Sequence, residues 1–233
     1  FNQRKKFPGL FVTNIGALLT SVLFPAISKA QDDIGHLRNM VRRSIKVSVF
    51  IMAPLMMGLT FAASNVVTVV LTEKWLFCVP FIWVFCINYM FEPINTANQN
   101  AINAMGRSDL FLKLEIVKTF MELIILLLTA WHGVMVIAYG LVVIGFLRQI
   151  INAWPNRKLL NYTYEEQIKD IFPSILIAVC MGICINLLNM LHLSVGFTLL
   201  MQIILGAVIY FVGAKIFKID SFDYLKNLIQ GYI

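Results

Sequence analysis

Long apolar runs separated by short polar stretches dominate the chain, and seven of them predict membrane-crossing helices. A bilayer core of about 30 Å needs about 20 residues of α-helix. The predicted spans are residues 7–28, 47–62, 76–106, 110–131, 134–153, 171–191 and 193–214. The first carries no charge and is bounded by Pro8 and Pro25. A short helical extension at 65–71 follows the second, and the fifth runs past Arg148. Pro93, inside the third, predicts a kink because it removes a helical donor and crowds the preceding turn. The fold class this pattern predicts is all-α, a polytopic transmembrane helix bundle.

Polar positions inside the spans are the informative exceptions. On the third span Asn88, Glu92, Asn95, Gln99 and Asn103 recur at steps of 4, 3, 4 and 4. At about 100° per residue the five side chains fall within roughly 80° of one another. Such a stripe is costly against lipid and points to water or a polar cargo. The other reading is interhelical hydrogen bonding, which would make the stripe glue to a neighbouring helix.

On the fourth span Glu115, Lys118 and Glu122 share a face within about 60°. Lys118 is placed to bridge both acids, which lowers the cost of holding all three in a membrane. A solvated cytoplasmic end is the alternative, weaker for Glu122, which lies further in. Asn14, in the middle of the first span, is a candidate for cargo contact or for a helix–helix hydrogen bond. Arg4, Lys5 and Lys6 precede the first span. They suit either a phosphate or pyrophosphate group or snorkelling to lipid phosphates.

Composition agrees with the membrane reading. The chain is 59% hydrophobic and 13% charged, about half the charge of a soluble domain, with a mean hydropathy of +0.80. Its net charge of +7 does not indicate nucleic acid, because the basic residues flank apolar spans. Alternate loops hold fourteen of the nineteen Lys and Arg residues, Arg38, Arg42, Arg43, Arg107, Arg148, Arg157 and Lys158 among them. By the positive-inside rule that side is cytoplasmic, with Phe1 outside and Ile233 inside. The start at Phe1, without a Met or a signal-peptide pattern, reads as a fragment whose missing piece is N-terminal.

Several local signals refine the boundaries. Thr163-x-x-Glu166 matches a capping box, so the sixth helix is expected to begin in the cytoplasmic loop and to bend at Pro173. Asp32-Asp33 could start an amphipathic stretch carrying Arg38, Arg42 and Arg43 along the membrane surface. Phe222, Leu225, Leu228, Ile229 and Tyr232 take helical spacing in a tail that resembles an interfacial helix.

Soluble-enzyme chemistry is missing from the pattern. Cys78, Cys86, Cys180 and Cys184 lie in predicted spans and read as small packing residues. His36, His132 and His192 are isolated, and no Gly-rich phosphate loop followed by Lys-Ser/Thr is present. No catalytic or metal site is expected.

At the level of its motifs the chain resembles the C-terminal half of Wzx-type oligosaccharide flippases, in the multidrug/oligosaccharidyl-lipid/polysaccharide exporter superfamily. The opening from Phe1-Asn2 to Phe7-Pro8 is similar to the family's Tyr-Asn-Arg…Pro. Where the family has a single Arg after Asn, this chain has Gln3 and then Arg4-Lys5-Lys6. The likeness continues in Ser21-Val22-Leu23-Phe24-Pro25-Ala26-Ile27-Ser28-Lys29, in Trp75 after Glu73-Lys74, and in Ala104-Met105-Gly106-Arg107-Ser108. It extends through Leu110-Phe111-Leu112-Lys113-Leu114-Glu115 and Lys158-Leu159-Leu160.

The resemblance implies a two-lobe transporter of twelve to fourteen helices. Residues 1–155 would form five spans of the C-terminal lobe, 156–220 two additional spans, and 221–233 a cytoplasmic interfacial tail. It implies movement of undecaprenyl-pyrophosphate-linked sugar repeats across the bacterial cytoplasmic (inner) membrane by alternating access, for cell-surface polysaccharide biosynthesis. The partners implied are the lipid-linked oligosaccharide, membrane lipids and the missing N-terminal lobe of the same chain. No cofactor is expected, with coupling to protons or sodium left open. An ion-coupled multidrug exporter is the alternative within transport, though its site would favour aromatics and acids over amides. A membrane-embedded glycan polymerase or acyltransferase would need a large outer loop or a catalytic His/Asp pair.

Overall fold

The computed structural model describes residues 33–222 and residue 224, except His192. The span at 7–28, the basic triplet, Asn14 and most of the C-terminal tail therefore lie outside the described residues. Six long helices follow one another: α1 (Ile34–Leu71), α2 (Val79–Ala104), α3 (Ser108–Ala130), α4 (Val134–Leu159), α5 (Tyr164–Leu187) and α6 (Val195–Ile216). Single 3-10 turns, Glu73–Cys78 and Leu188–Leu191, precede α2 and follow α5. There is no strand among the described residues. The fold is an all-α membrane bundle, as the apolar pattern predicted.

α1 is the central element. Its 38 residues give a length of about 57 Å, well beyond a bilayer core. The expected surface stretch, second span and short extension are thus one uninterrupted helix, started by the Asp33 side chain accepting from the His36 amide. Leu37, Val41, Ile45, Val49 and Ala53 on one face are fully buried, packed against α2, α5 and α6. Arg38 and Arg42 do not lie along lipid. They pair with Glu166 and Asp170 at the start of α5, which brings the basic end of α1 and the capped end of α5 together.

α5 opens as its sequence predicted: the Thr163 hydroxyl accepts from the Glu166 amide, and the Glu166 carboxylate accepts from the Thr163 amide. Both α2 and α5 continue through Pro93 and Pro173 without interruption. Cys86 is buried, whereas Cys180 and Cys184 are exposed on α5, so the latter two are not core packing residues.

Among the described residues, five helices are long and apolar enough to cross a membrane. The helix from Ser108 to Ala130 is long enough but too charged to join them. It lies at the edge of the bundle, packed on α4 and α2, and Lys118 is its only buried residue.

Candidate functional site

The polar residues of α2, α3 and α4 converge on one another inside the bundle. Asn88 and Glu92 on α2, Glu122 and Leu126 on α3, and Leu141, Ile144, Gly145 and Arg148 on α4 line a cavity of about 160 Å³. Gly145 lets α4 come close: a β-carbon there would overlap the Oδ1 atom of Asn88. The Asn88 amide therefore lies against bare backbone at the cavity wall. Arg148 donates from its guanidinium to Glu122 across the α3–α4 interface.

The sequence stripe does not form one uniform wall. Its upper members, Asn88 and Glu92, face the cavity. Asn95 is buried and accepts from the Asn152 amide of α4 at 3.3 Å. Gln99 donates to Glu115 of α3 at 3.3 Å. Asn103 lies at the far end, half-buried. Four of the five, Asn88, Glu92, Asn95 and Gln99, meet side chains or the cavity wall of α3 and α4. Within the stripe, the cavity-facing and helix-joining roles belong to different positions.

The charge cluster on α3 is arranged differently from the sequence expectation. Lys118 does not bridge both acids. Its ammonium, in a side chain only 3% exposed, pairs with Glu115, and Glu122 takes Arg148 instead. The reason is geometric: α4 supplies a second cation on the side of Glu122, so each acid has its own partner.

Two groups were missed by sequence reasoning. The loop-charge pattern places Arg148 among the basic loops, whereas it sits within α4 and lines the cavity. The second is a buried amide seam beside the stripe. The Asn156 amide donates to both the backbone and side-chain oxygens of Asn98, at 3.1 and 2.8 Å. The Asn98 amide donates in turn to Gln167 of α5 at 3.2 Å. A signal for both was present: Gly145, Arg148 or Gln149, Asn152 and Asn156 recur at steps of three and four along α4, the same period as the α2 stripe.

A second, larger space lies on the other side of α1. This apolar groove of about 760 Å³ runs between α1 and α6 over α5, with Pro54, Gly58, Ala62, Met181, Gly206 and Phe211 in its walls. Small residues on both flanking helices keep it open. Each end is tied. At one end Asn65 donates to Asn189 and Gln202. At the other, Asp170 accepts from Arg42 and from the Tyr162 hydroxyl, and Lys46 bridges Asp170 and Asp220. Among the described residues no group of three or more His, Cys, Asp or Glu side chains could hold a metal ion.

The comparisons with known proteins agree with this architecture. A family described as polysaccharide biosynthesis protein matches residues 1–80. A membrane protein of the cps region of Klebsiella pneumoniae is 31% identical over 153 residues, 65% of this chain and 30% of that protein. The lipopolysaccharide biosynthesis protein WzxC of Escherichia coli K12 is 27% identical over 185 residues, 74% of this chain and 37% of WzxC. The teichuronic acid biosynthesis protein TuaB of Bacillus subtilis 168 is 24% identical, covering 74% of this chain and 36% of TuaB. Among solved structures, the lipid II flippase MurJ in an inward closed conformation superimposes with a TM-score of 0.72 at 18% identity, over 91% of this chain and 44% of MurJ. The chain thus spans about a third of the length of the curated relatives it matches. In sequence it is like the Wzx-type polysaccharide flippases, in fold it is like MurJ, and it is a multi-pass membrane protein.

Proposed function

We propose that this chain forms one lobe of a transporter that flips lipid-linked oligosaccharide repeat units across the bacterial cytoplasmic membrane by alternating access. The observation that carries the reading is a pair of unlike spaces in one bundle. A charged cavity with the Asn88 amide in its wall lies among α2, α3 and α4, and an apolar groove lies between α1 and α6. A sugar pyrophosphate on a polyprenyl chain needs both: hydrogen-bonding groups for hydroxyls within low dielectric, and an apolar track for the tail. Asn88 and Glu92 are the first candidates for sugar contact, with Asn95, Gln99 and Asn103 continuing the polar line. Glu115, Lys118 and Glu122 support it from α3. Among the described residues no aromatic ring lines the cavity, which favours a sugar over a flat apolar drug.

Asn14, in the middle of the first span, is a further candidate for cargo contact, and Arg4, Lys5 and Lys6 complete the proposed path on the outer side. A polyanion crossing low dielectric requires compensating positive charge there. The basic ends of α1 and α5 then lie in the cytoplasm, with Phe1 outside and Ile233 inside. The partners of this reading are the lipid-linked oligosaccharide, the surrounding lipids and a second helical lobe. The protein acts as a transporter rather than an enzyme.

The test is mass spectrometry of lipid-linked sugars in a strain from which the gene is deleted. Intact repeat units should accumulate on the lipid carrier, and surface polysaccharide should fall. Export should return with the wild-type gene and not with Asn88→Leu at equal membrane abundance. Normal surface polysaccharide in the deletion strain would contradict the proposal.

A further inference from the structure

Three helices line the cavity that holds the Arg148 guanidinium. Arg148 of α4 pairs with Glu122 of α3, and Glu92 of α2 lines the same cavity. Two carboxylates therefore compete for one cation. The charges acting on Glu92 come from Arg148 on α4 and Lys118 on α3, with Asn95 as a hydrogen-bond partner on its own helix. Glu122 lies across the cavity, and Glu115 holds Lys118 from the opposite side. α1, packed on the far face of α2, contributes none of the charges acting on Glu92.

Among the described residues the cavity-lining set of one Arg and two Glu carries a net charge of −1, which is expensive in a membrane interior. A single positive charge restores balance. A metal cation would have to sit beside the fixed guanidinium of Arg148, whereas a proton is carried covalently on the acid itself. We propose that Glu92 is a proton-binding site, and that its protonation decides whether Arg148 is held by Glu122 alone or shared between Glu122 and Glu92.

The step is a simple transfer. A hydronium ion from the aqueous end of the cavity gives its proton to a Glu92 carboxylate oxygen, an O–H bond forms, and water leaves. With Glu92 protonated, Arg148 stays with Glu122 and ties α3 to α4. With Glu92 ionised, Arg148 is drawn toward α2 and the three helices close on the cavity. The transport reading gives this switch its use, but the switch itself needs no cargo.

The experiment is infrared difference spectroscopy of the full-length protein in proteoliposomes, without substrate, titrated with acid. The wild type should show a protonated-carboxyl band that is lost in Glu92→Gln and kept in Glu92→Asp. Glu122→Gln removes the competitor for Arg148, so proton affinity at Glu92 should fall about tenfold and the midpoint should move about one unit to lower pH. Arg148→Gln removes the cation and should move the midpoint to higher pH by a similar amount. These opposite displacements are the signature of sharing. A band unchanged by Glu92→Gln, or a midpoint indifferent to Glu122→Gln, overturns the proposal even if Arg148→Gln does not fold. Because no cargo is present, the titration succeeds or fails independently of whether lipid-linked sugar is what the protein carries.

Discussion

Asn156 and Asn98, both without any solvent exposure, are joined side chain to side chain and side chain to backbone across the α4–α2 interface. Asn98 accepts twice from the Asn156 amide nitrogen and donates to Gln167, while the Asn156 Oδ1 atom meets no hydrogen-bond partner among the described residues. Replacing one alone strands its partner, which costs about 1–3 kcal/mol. Asn98→Leu should lower the unfolding midpoint of the detergent-solubilised protein, with Asn156→Leu doing the same. The double change should destabilise by clearly less than the sum of the two. Strict additivity in such a cycle would mean that the two amides act separately.

The pairing on α3 makes a directional prediction. Lys118→Met leaves Glu115 without its cation and should reduce protein level in the membrane. Adding Glu115→Gln should restore it, whereas adding Glu122→Gln should not, because Glu122 is paired with Arg148. Removing one member of a buried pair is costly while removing both is often nearly neutral. Quantitative immunoblotting of membranes from the four strains gives the answer.

Gly145→Ala is expected to act on the site rather than on the fold. Its new methyl would meet the Oδ1 end of Asn88, a side chain free to swing away, and not backbone. The stability change should stay within about 1 kcal/mol, while polysaccharide export falls severalfold as the amide is displaced from the cavity wall. Thermal unfolding beside an export assay separates the two effects. A large loss of stability with normal export would reverse the assignment.

The tie between α1 and α5 rests on Asp170, whose side chain is 5% exposed and meets Arg42 at 2.6 Å and Lys46 at 3.4 Å. Asp170→Ala should cost about 1.5–3 kcal/mol, the range for hydrogen bonds to charged groups, through release of α5 from the basic end of α1. Arg38→Gln, which touches a more exposed partner, should cost less. Ranking the two by urea or thermal unfolding tests the order.

The bundle was legible in the sequence because apolar run length and the period of 3.6 report burial directly. α5 begins at its predicted capping box, and Asn88, Glu92, Asn95 and Gln99 of the stripe meet α3 and α4. What escaped were relationships that need a second helix. The surface stretch, second span and extension merge into α1 because Arg38, Arg42 and Lys46 find acids on α5 and the segment after α6, which removes any reason for the chain to turn along the membrane. Lys118 looked like a bridge while α3 was read alone, and Arg148 looked like a loop charge until α4 was laid beside it. Asn98 escaped because one amide off the stripe carries no periodic signal. Its partners lie 58 and 69 residues away.

On the proposed function, lipid-linked oligosaccharide passes the cavity among α2, α3 and α4. The most direct measurement places a photoreactive amino acid at Asn88, and as a control at Leu128, which is 66% exposed on the outer face of α3. Cells are irradiated during polysaccharide synthesis and the adducts identified by mass spectrometry. The account predicts a glycan-bearing lipid adduct at position 88 and only ordinary phospholipid at 128. Phospholipid alone at both positions, in protein that still supports export, would contradict it.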